Sequence, residues 1–263
     1  MNDFTSELRT ALEAVERAEQ IALKYFGQNP RVQIKADMSP VTQADIEAEG
    51  VIVETIRAHF PTHSILGEES GITQHDSDFM WIIDPIDGTK NYMRGIPLFG
   101  IEVALCHKGE PIVGVSSVPA LGERLFAEKG HGAFLNSPER QVHVNDVALL
   151  QDAYVNFGGL NGFTRDNEEG NMLRIVRASG RVRATGDAYA YHLLATGRCD
   201  AVIEARISFW DIAALSVIVH EAGGSCTDLK GNALTVDTKS ALFTNGRIHD
   251  ALLNLYWKEE SAS

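Results

Sequence analysis

Cysteine is scarce in this chain, and what there is has no arrangement that would bind zinc or staple a fold. The 263 residues hold 3 cysteines: Cys106, Cys199 and Cys226, widely spaced and without a Cys-x-x-Cys pair. An odd, scattered set argues against structural zinc and a disulfide framework, and for a reducing compartment. Long apolar runs are missing too, each falling far short of the roughly 20 residues that span a bilayer. The stretch from Met1 to Leu12 is polar and has no apolar segment of the secretory type. The expectation is a cytoplasmic protein without a membrane partner. Basic residues are few beside acidic ones, 23 against 36, for a formal charge of −13. That balance excludes nucleic acid as the expected partner, but not a small anion, because bound cations can invert the local field. Missing as well are a Gly-x-Ser-x-Gly elbow, a Walker loop and a His-Glu-x-x-His helix. His192 and His220 therefore read as packing residues.

What is present suits an ordinary globular protein: 44% of the residues are hydrophobic, enough for a core without staples. Apolar residues at Phe4, Leu8, Leu12, Val15, Ala18, Ala22 and Phe26 recur at helical spacing, and Gly27 and Pro30 end the pattern. Thr42 then reads as the N-cap of a second helix, with Asp45 at its third position, running to before Pro61. From residue 63 the texture changes to short β-type runs at 64–66, 79–83, 99–107, 111–118 and 124–127, joined by tight turn signals such as Lys108-Gly109-Glu110. These suggest an antiparallel meander. Helical patterns return at 167–178, 187–196, 210–222 and 247–257, with strands at 201–204 and 241–244 between them. The alternation of strand-rich and helix-rich blocks indicates a layered α+β fold. Turn formers and charges between 136 and 146 suggest two parts. Residues 1–140 would carry the helix pair, the antiparallel sheet and the acidic segments at 67–70 and 81–89; residues 141–263 would form an α/β part that includes Asp211.

The most informative segment is Trp81-Ile82-Ile83-Asp84-Pro85-Ile86-Asp87-Gly88-Thr89. An apolar strand runs into two carboxylates three residues apart, with Pro85 holding Asp84 extended and Asp87-Gly88 turning sharply. Such a strand end can bind neighbouring divalent cations, and the amides of Gly88 and Thr89 can face a phosphate. The alternative is a turn and a helix cap, yet the whole hexapeptide behind a buried strand is far rarer than an Asp-Gly turn. Gly67-Glu68-Glu69-Ser70 follows another short apolar strand; Glu68 is either a further ligand or part of a solvated loop. Asp211, in Trp210-Asp211-Ile212, is either a ligand or a helix-start residue favoured by the dipole. Together these positions offer an all-oxygen set suited to Mg²⁺ rather than zinc.

These motifs, in this order, resemble those of the inositol monophosphatase-like superfamily, and Lys35-x-Asp37-x-Ser39-Pro40-Val41-Thr42-x-Ala44-Asp45 resembles its N-terminal signature. The resemblance covers nearly the whole chain. It implies a layered αβαβα sandwich, a homodimer and a Mg²⁺-dependent phosphatase acting on a small phosphate monoester with two or three ions per site. It implies metal binding by Glu68, Asp84, Asp87, Asp211 and the Ile86 carbonyl. Asp45, Glu68 and Thr89 would then be the catalytic residues, with Asp45 either beside a weaker third ion or orienting water together with Thr89. Substrate contacts would include Ile86, Asp87, Gly88, Thr89 and Asp211.

Specificity is to be sought in Arg183-Ala184-Thr185-Gly186-Asp187-Ala188-Tyr189-Ala190-Tyr191. The Gly-Asp-x-Tyr-x-Tyr pattern looks like that of the histidinol-phosphate phosphatases of this superfamily. Histidinol carries an amine and an imidazole, so an added carboxylate suits it; Glu204 could pair with the same groups, and Arg183 matches a substrate-binding position. The competing reading makes Asp187 an N-cap and the tyrosines packing residues. The expected activity is hydrolysis of histidinol phosphate in histidine biosynthesis. An inositol monophosphatase is the alternative within the superfamily, and a regulatory protein-binding member the alternative of another class.

Overall fold

A computed structural model describes residues 4–28, 32–35 and 40–258. Helix α1 (Ser6–Tyr25) begins where Thr5 caps it, its hydroxyl accepting from the Leu8 amide at 3.3 Å. Its apolar stripe, from Leu8 through Ala22, is buried. The short hairpin β1 (Val32–Ile34) and β2 (Pro40–Thr42) leads into α2 (Gln43–His59). Thr42 and Asp45 form a reciprocal capping box at the start of α2. Asp37 and Ser39 of the N-terminal signature lie outside the described residues.

The first sheet contains β3 (Ser64–Gly67), β4 (Gly71–Thr73) and β5 (Phe79–Asp87), then, beyond the short helix α3 (Thr89–Met93), β6 (Gly100–His107), β7 (Glu110–Val118), β8 (Glu123–Glu128), β9 (Ala133–Leu135) and β10 (Gln141–Val142). Its order is β10-β9-β8-β7-β6-β5-β3-β4. From β5 to β10 it is the antiparallel meander expected of such closely linked runs. β3 and β5 instead pair in parallel. β4 hairpins onto the outer edge of β3, leaving the inner edge for β5, which must then run in the direction of β3.

The second sheet is assembled from β11 (Tyr154–Phe157), α4 (Leu160–Arg165), α5 (Glu169–Ala178), β12 (Arg181–Arg183), α6 (Asp187–Ala195), β13 (Ala201–Ala205), α7 (Phe209–Glu221), β14 (Ser225–Thr227), β15 (Ser240–Thr244) and α8 (His249–Tyr256). Its order is β12-β11-β13-β15-β14. Three apolar clusters define the layering. Residues of α1 and α2 pack with Trp81, Ile83 and Val103 on one face of the first sheet. α6 and α7 fill the space between Ile82, Ala104 and Leu125 of that sheet and Val202 and Phe243 of the second. Ile175, Leu252 and Tyr256 cover the far face of the second sheet over Val155, Ile203 and Leu242. The result is the five-layer αβαβα sandwich. Among the described residues no helix is long and apolar enough to cross a membrane.

Candidate active site

Alternation along β5 sends Trp81 and Ile83 to the outer helices and Ile82, with Asp84, toward α6 and α7. Regular pairing with β6 breaks between Asp84 and Asp87, where Pro85 has no N–H to offer a ladder. The strand end curls there: Asp84 Oδ1 accepts from the Ile86 amide at 3.0 Å, and Gly88 takes φ +84°. A side chain at residue 88 would also meet Asp187 Oδ2 at 2.9 Å and the Leu98 carbonyl at 3.2 Å, so glycine is required on both counts.

Asp211 reaches this strand end from the first turn of α7. Its carboxylate accepts from the Ser208 amide at 2.9 Å, as in a capping box. One oxygen from each of Asp84, Asp87 and Asp211 lies within 4.8 Å of the others. Capping and convergence therefore coexist at Asp211 rather than competing. Glu68 follows β3 directly, its amide bonded to the Ile83 carbonyl at 3.1 Å. Its carboxylate turns to the Lys35 ammonium at 2.8 Å, which also donates to Glu69 at 2.7 Å. Buried Glu49 of α2 fixes this loop by accepting from the amides of Glu69 and Ser70 at 2.9 and 2.7 Å. On the other side of the turn, the Thr89 hydroxyl lies 3.2 Å from Asp45 Oδ1 and 3.1 Å from the Ile86 carbonyl. Asp45 is held by the amide of Thr42 at 2.8 Å and is fully buried.

Concentrated carboxylates inside a protein resist ionisation. Burial, then the charges of Glu68, Asp211 and Asp87, pushes Asp84 well above the usual carboxylate range. Burial and the neighbouring Asp187 and Asp211 do the same to Asp87. Asp211 is pushed up to about 7, chiefly by burial, with the charges of Glu68 and Asp187 adding to it. Burial also raises Asp45 against the hydrogen bonds from Thr42 and Thr89. Such a set is costly as anions without compensating cations. All of its donors are hard oxygens, so its chemistry fits Mg²⁺ or a similar cation and not a thiolate-bound metal.

A cavity of about 360 Å³ opens over the cluster, lined by Asp87 and Asp211 and by Asp187, Tyr191 and Glu204. Asp187 is the first residue of α6, with Gly186 in the cap position and no side-chain cap bond. It takes φ +48°, and its Oδ2 accepts from the Asn91 amide at 2.7 Å. Burial, opposed by Lys90 and Asn91, pushes it up to about 6. Burial, then the charges of Asp187 and Asp211, pushes Glu204 up to about 8. Tyr191 both packs and bonds: its ring meets Phe243 edge-on at 4.9 Å, and its hydroxyl donates to Glu204 at 3.2 Å. Tyr189 lies away from the cavity, with the Arg198 guanidinium 5.7 Å from its ring centre. Arg183 is exposed on β12, donates to the Val182 carbonyl at 2.8 Å and does not line the cavity.

Sequence reasoning passed over Lys90, Asn161, Arg165 and Arg206, which also line the cavity. Lys90 could have been found, since it directly follows Thr89. The others come from α4 and the turn after β13, where no local pattern marks them. Arg206 is steadied by Asp166 at 2.7 Å.

Residues 4–261 match the model of the inositol monophosphatase family. A histidinol-phosphatase of Mycobacterium tuberculosis is 39% identical over 94% of this chain and 96% of its own length. A fructose-1,6-bisphosphatase/inositol-1-monophosphatase of Thermotoga maritima is 36% identical over 93% of each chain. Among solved structures, an inositol monophosphatase from Anabaena superposes with a TM-score of 0.84 at 34% identity, covering 95% of this chain and 94% of its own.

Proposed function

The chain belongs to the inositol monophosphatase family, and from that premise we propose that it is a Mg²⁺-dependent histidinol-phosphatase, releasing histidinol and phosphate. It is a phosphoric monoester hydrolase with a metal-dependent family chemistry. The observation that carries the substrate reading is that Asp187 and Glu204 line the same cavity as Asp87 and Asp211. Two carboxylates beside a phosphate-hydrolysing centre suit an alcohol that carries an amine and an imidazole, and give an uncharged polyol no comparable benefit. The name of the Mycobacterium tuberculosis relative points the same way.

Asp84, Asp87, Asp211, Glu68 and the Ile86 carbonyl would hold two or three Mg²⁺ ions. Those ions would supply charge for the phosphoryl oxygens, a water made more acidic, and stabilisation of the leaving alkoxide. The remaining work belongs to the chain. Thr89 accepts a hydrogen bond from the attacking water and passes its own hydroxyl hydrogen toward Asp45 Oδ1, 3.2 Å away. The water oxygen is thereby aimed at phosphorus, on the side opposite the ester oxygen. As the new P–O bond forms the ester P–O bond breaks; the proton shed by the water goes to Asp45 by way of the Thr89 hydroxyl, and the leaving alcohol oxygen takes up a proton from solvent. The turn amides of Gly88 and Thr89 hold the phosphate in line, while Asp187 and Glu204 fix the amine and imidazole so that the ester oxygen faces the cluster.

A homodimer in a reducing cytoplasm completes the reading; all three cysteines are free, and light scattering on the purified protein tests the mass. The substrate reading is tested by kcat/KM for histidinol phosphate beside inositol 1-phosphate at saturating Mg²⁺. Preference for histidinol phosphate by tenfold or more is expected; preference for the inositol ester would refute it.

A further inference from the structure

A row of buried polar groups leads from the carboxylate cluster to the surface, and the hydrolysis described above makes no use of it. Glu102 of β6 pairs with Asp84 across the sheet and is fully buried. Its Oε1 sits where a side chain at Gly100 would come within 2.9 Å of it, and Gly100 is the residue opposite Asp87. The Ser116 hydroxyl, one strand further on, lies 2.7 Å from Glu102 Oε1 and 2.8 Å from His192 Nε2. His192, on α6, is fully enclosed, and its Nδ1 faces Glu123 Oε2 at 3.6 Å. Glu123 has a side chain 20% exposed and is gripped by the Arg198 guanidinium at 3.0 and 2.7 Å.

This row lies in the layer that Ile82, Leu125, Leu194 and Ile212 otherwise fill with hydrocarbon. Replacing such polar rows by hydrocarbon is often neutral or stabilising, so stability alone is a weak reason for it. Glu102 Oε2 and His192 Nδ1 are buried without a hydrogen-bond partner, a cost that calls for a compensating role. Burial keeps the imidazole neutral, lowering its pKa against the pull of Glu123, so a neutral ring is available as a link. The inner end meets the strand that bears Asp84 and Asp87, and the outer end is an ion pair that fixes the ring.

We propose that His192 is a positioning residue for metal binding: through Ser116 it holds Glu102 against Gly100, and so sets the spacing of Asp84 and Asp87, while Glu123 sets the tautomer and orientation of its ring. The proposal rests on the reading of Asp84, Asp87 and Asp211 as metal ligands. Groups that orient metal ligands from behind typically change affinity by roughly 10- to 100-fold when removed.

The test is a Mg²⁺ titration by calorimetry on the parent, Ser116→Ala, Glu123→Gln and the double variant, with far-UV circular dichroism to verify folding. Each single change should weaken Mg²⁺ binding about tenfold. The double variant should be no weaker than Ser116→Ala, because Glu123 acts only through that hydroxyl. In the metal-free protein, the ¹⁵N signals of the His192 ring should move in Glu123→Gln. Unchanged affinity in either folded single variant, or losses that add in the double, would overturn the proposal. If Ser116→Ala does not fold, Glu123→Gln at the outer end decides alone, by its affinity and its ring signals. Asp211→Asn separates the two readings. If it binds Mg²⁺ as tightly as the parent, the ligand assignment falls and takes the proposal with it; if it abolishes binding while the other variants do not weaken it, only the positioning chain is wrong.

Discussion

Asp187→Asn is the perturbation that bears most directly on substrate identity. Asparagine tolerates the φ of +48° at this position, whereas alanine would add backbone strain and confuse the result. An asparagine Oδ1 can still accept the 2.7 Å hydrogen bond from Asn91, so the turn that faces Gly88 should persist. Only the charge is lost. Two unit charges about 4 Å apart attract by about 4 kcal/mol at an effective dielectric near 20, an upper bound before desolvation is counted. Hydrogen bonds to charged groups contribute about 1.5–3 kcal/mol net, which corresponds to roughly 10- to 150-fold in kcat/KM. The assay measures phosphate release from histidinol phosphate and from an uncharged ester such as glycerol 2-phosphate, at the same saturating Mg²⁺. The loss should fall on histidinol phosphate, with the uncharged ester hydrolysed within about twofold of the parent. Equal losses on both esters would make Asp187 a structural residue and refute the argument.

Other outcomes follow from the same geometry. Asp84→Asn or Asp87→Asn should lower kcat/KM by on the order of 10²-fold or more on every substrate, and chelation of the parent should abolish turnover until Mg²⁺ is restored; full activity in either variant removes that ligand. Thr89→Ala should reduce kcat more than it raises KM, whereas an effect on KM alone would make Thr89 a phosphate-binding group. The His192 ring facing it at 3.6 Å, then the Arg198 guanidinium, against an opposing burial effect, hold Glu123 down to about 2 from 4.5. A depressed folded pKa stabilises the protein above the unfolded value and loses that contribution as pH falls through the folded one. The Tm of the parent should therefore exceed that of Glu123→Gln at pH 6, with the gap closing between pH 4.5 and about 2; a gap independent of pH would exclude this linkage.

The first half of the fold was legible because its signals are local. Thr42 and Asp45 stand in capping register, the runs from Phe79 to Val118 are long and β-branched, and the hexapeptide after Ile83 is dense in turn chemistry. In the second half β13 and β15 were legible at 201–204 and 241–244, but the other three strands of that sheet stay hidden. β11 is four residues long with Asn156 in its middle, and β12 and β14 have three residues each, too few for a period of two to emerge. The single helix expected over 167–178 proves to be α5, with α4 before it. The two are separated at Asp166-Asn167-Glu168, where Asn167 takes φ +58°, a turn that helix propensity does not announce. The site divides in the same way. Asp84 and Asp87 are read from one segment, but the Lys35–Glu68 pair joins residues 33 positions apart, and Arg165 and Arg206 reach the cavity only through the tertiary fold.

The substrate-facing residues are not mounted separately from the catalytic ones. The amide of Ala188 donates to Asp87, the Asn91 side chain donates to Asp187, and Asp187 Oδ2 fills the space that a side chain at Gly88 would need. The first turn of α6 is thus clasped to the strand end that carries the metal-type cluster. A rigid clasp has a physical use: an amine held by Asp187 can place the ester oxygen over the cluster only if the two are fixed to within a fraction of an ångström. It also constrains how specificity can change. A larger side chain at 187 would press on Gly88, and a different φ there would move Ala188 and its bond to Asp87. Selecting another alcohol at this position therefore means altering Gly88, Asn91 and Asp187 together, whereas Glu204, on β13 and bonded by the Tyr191 hydroxyl, lies outside that clasp and bears on Asp211 through its charge.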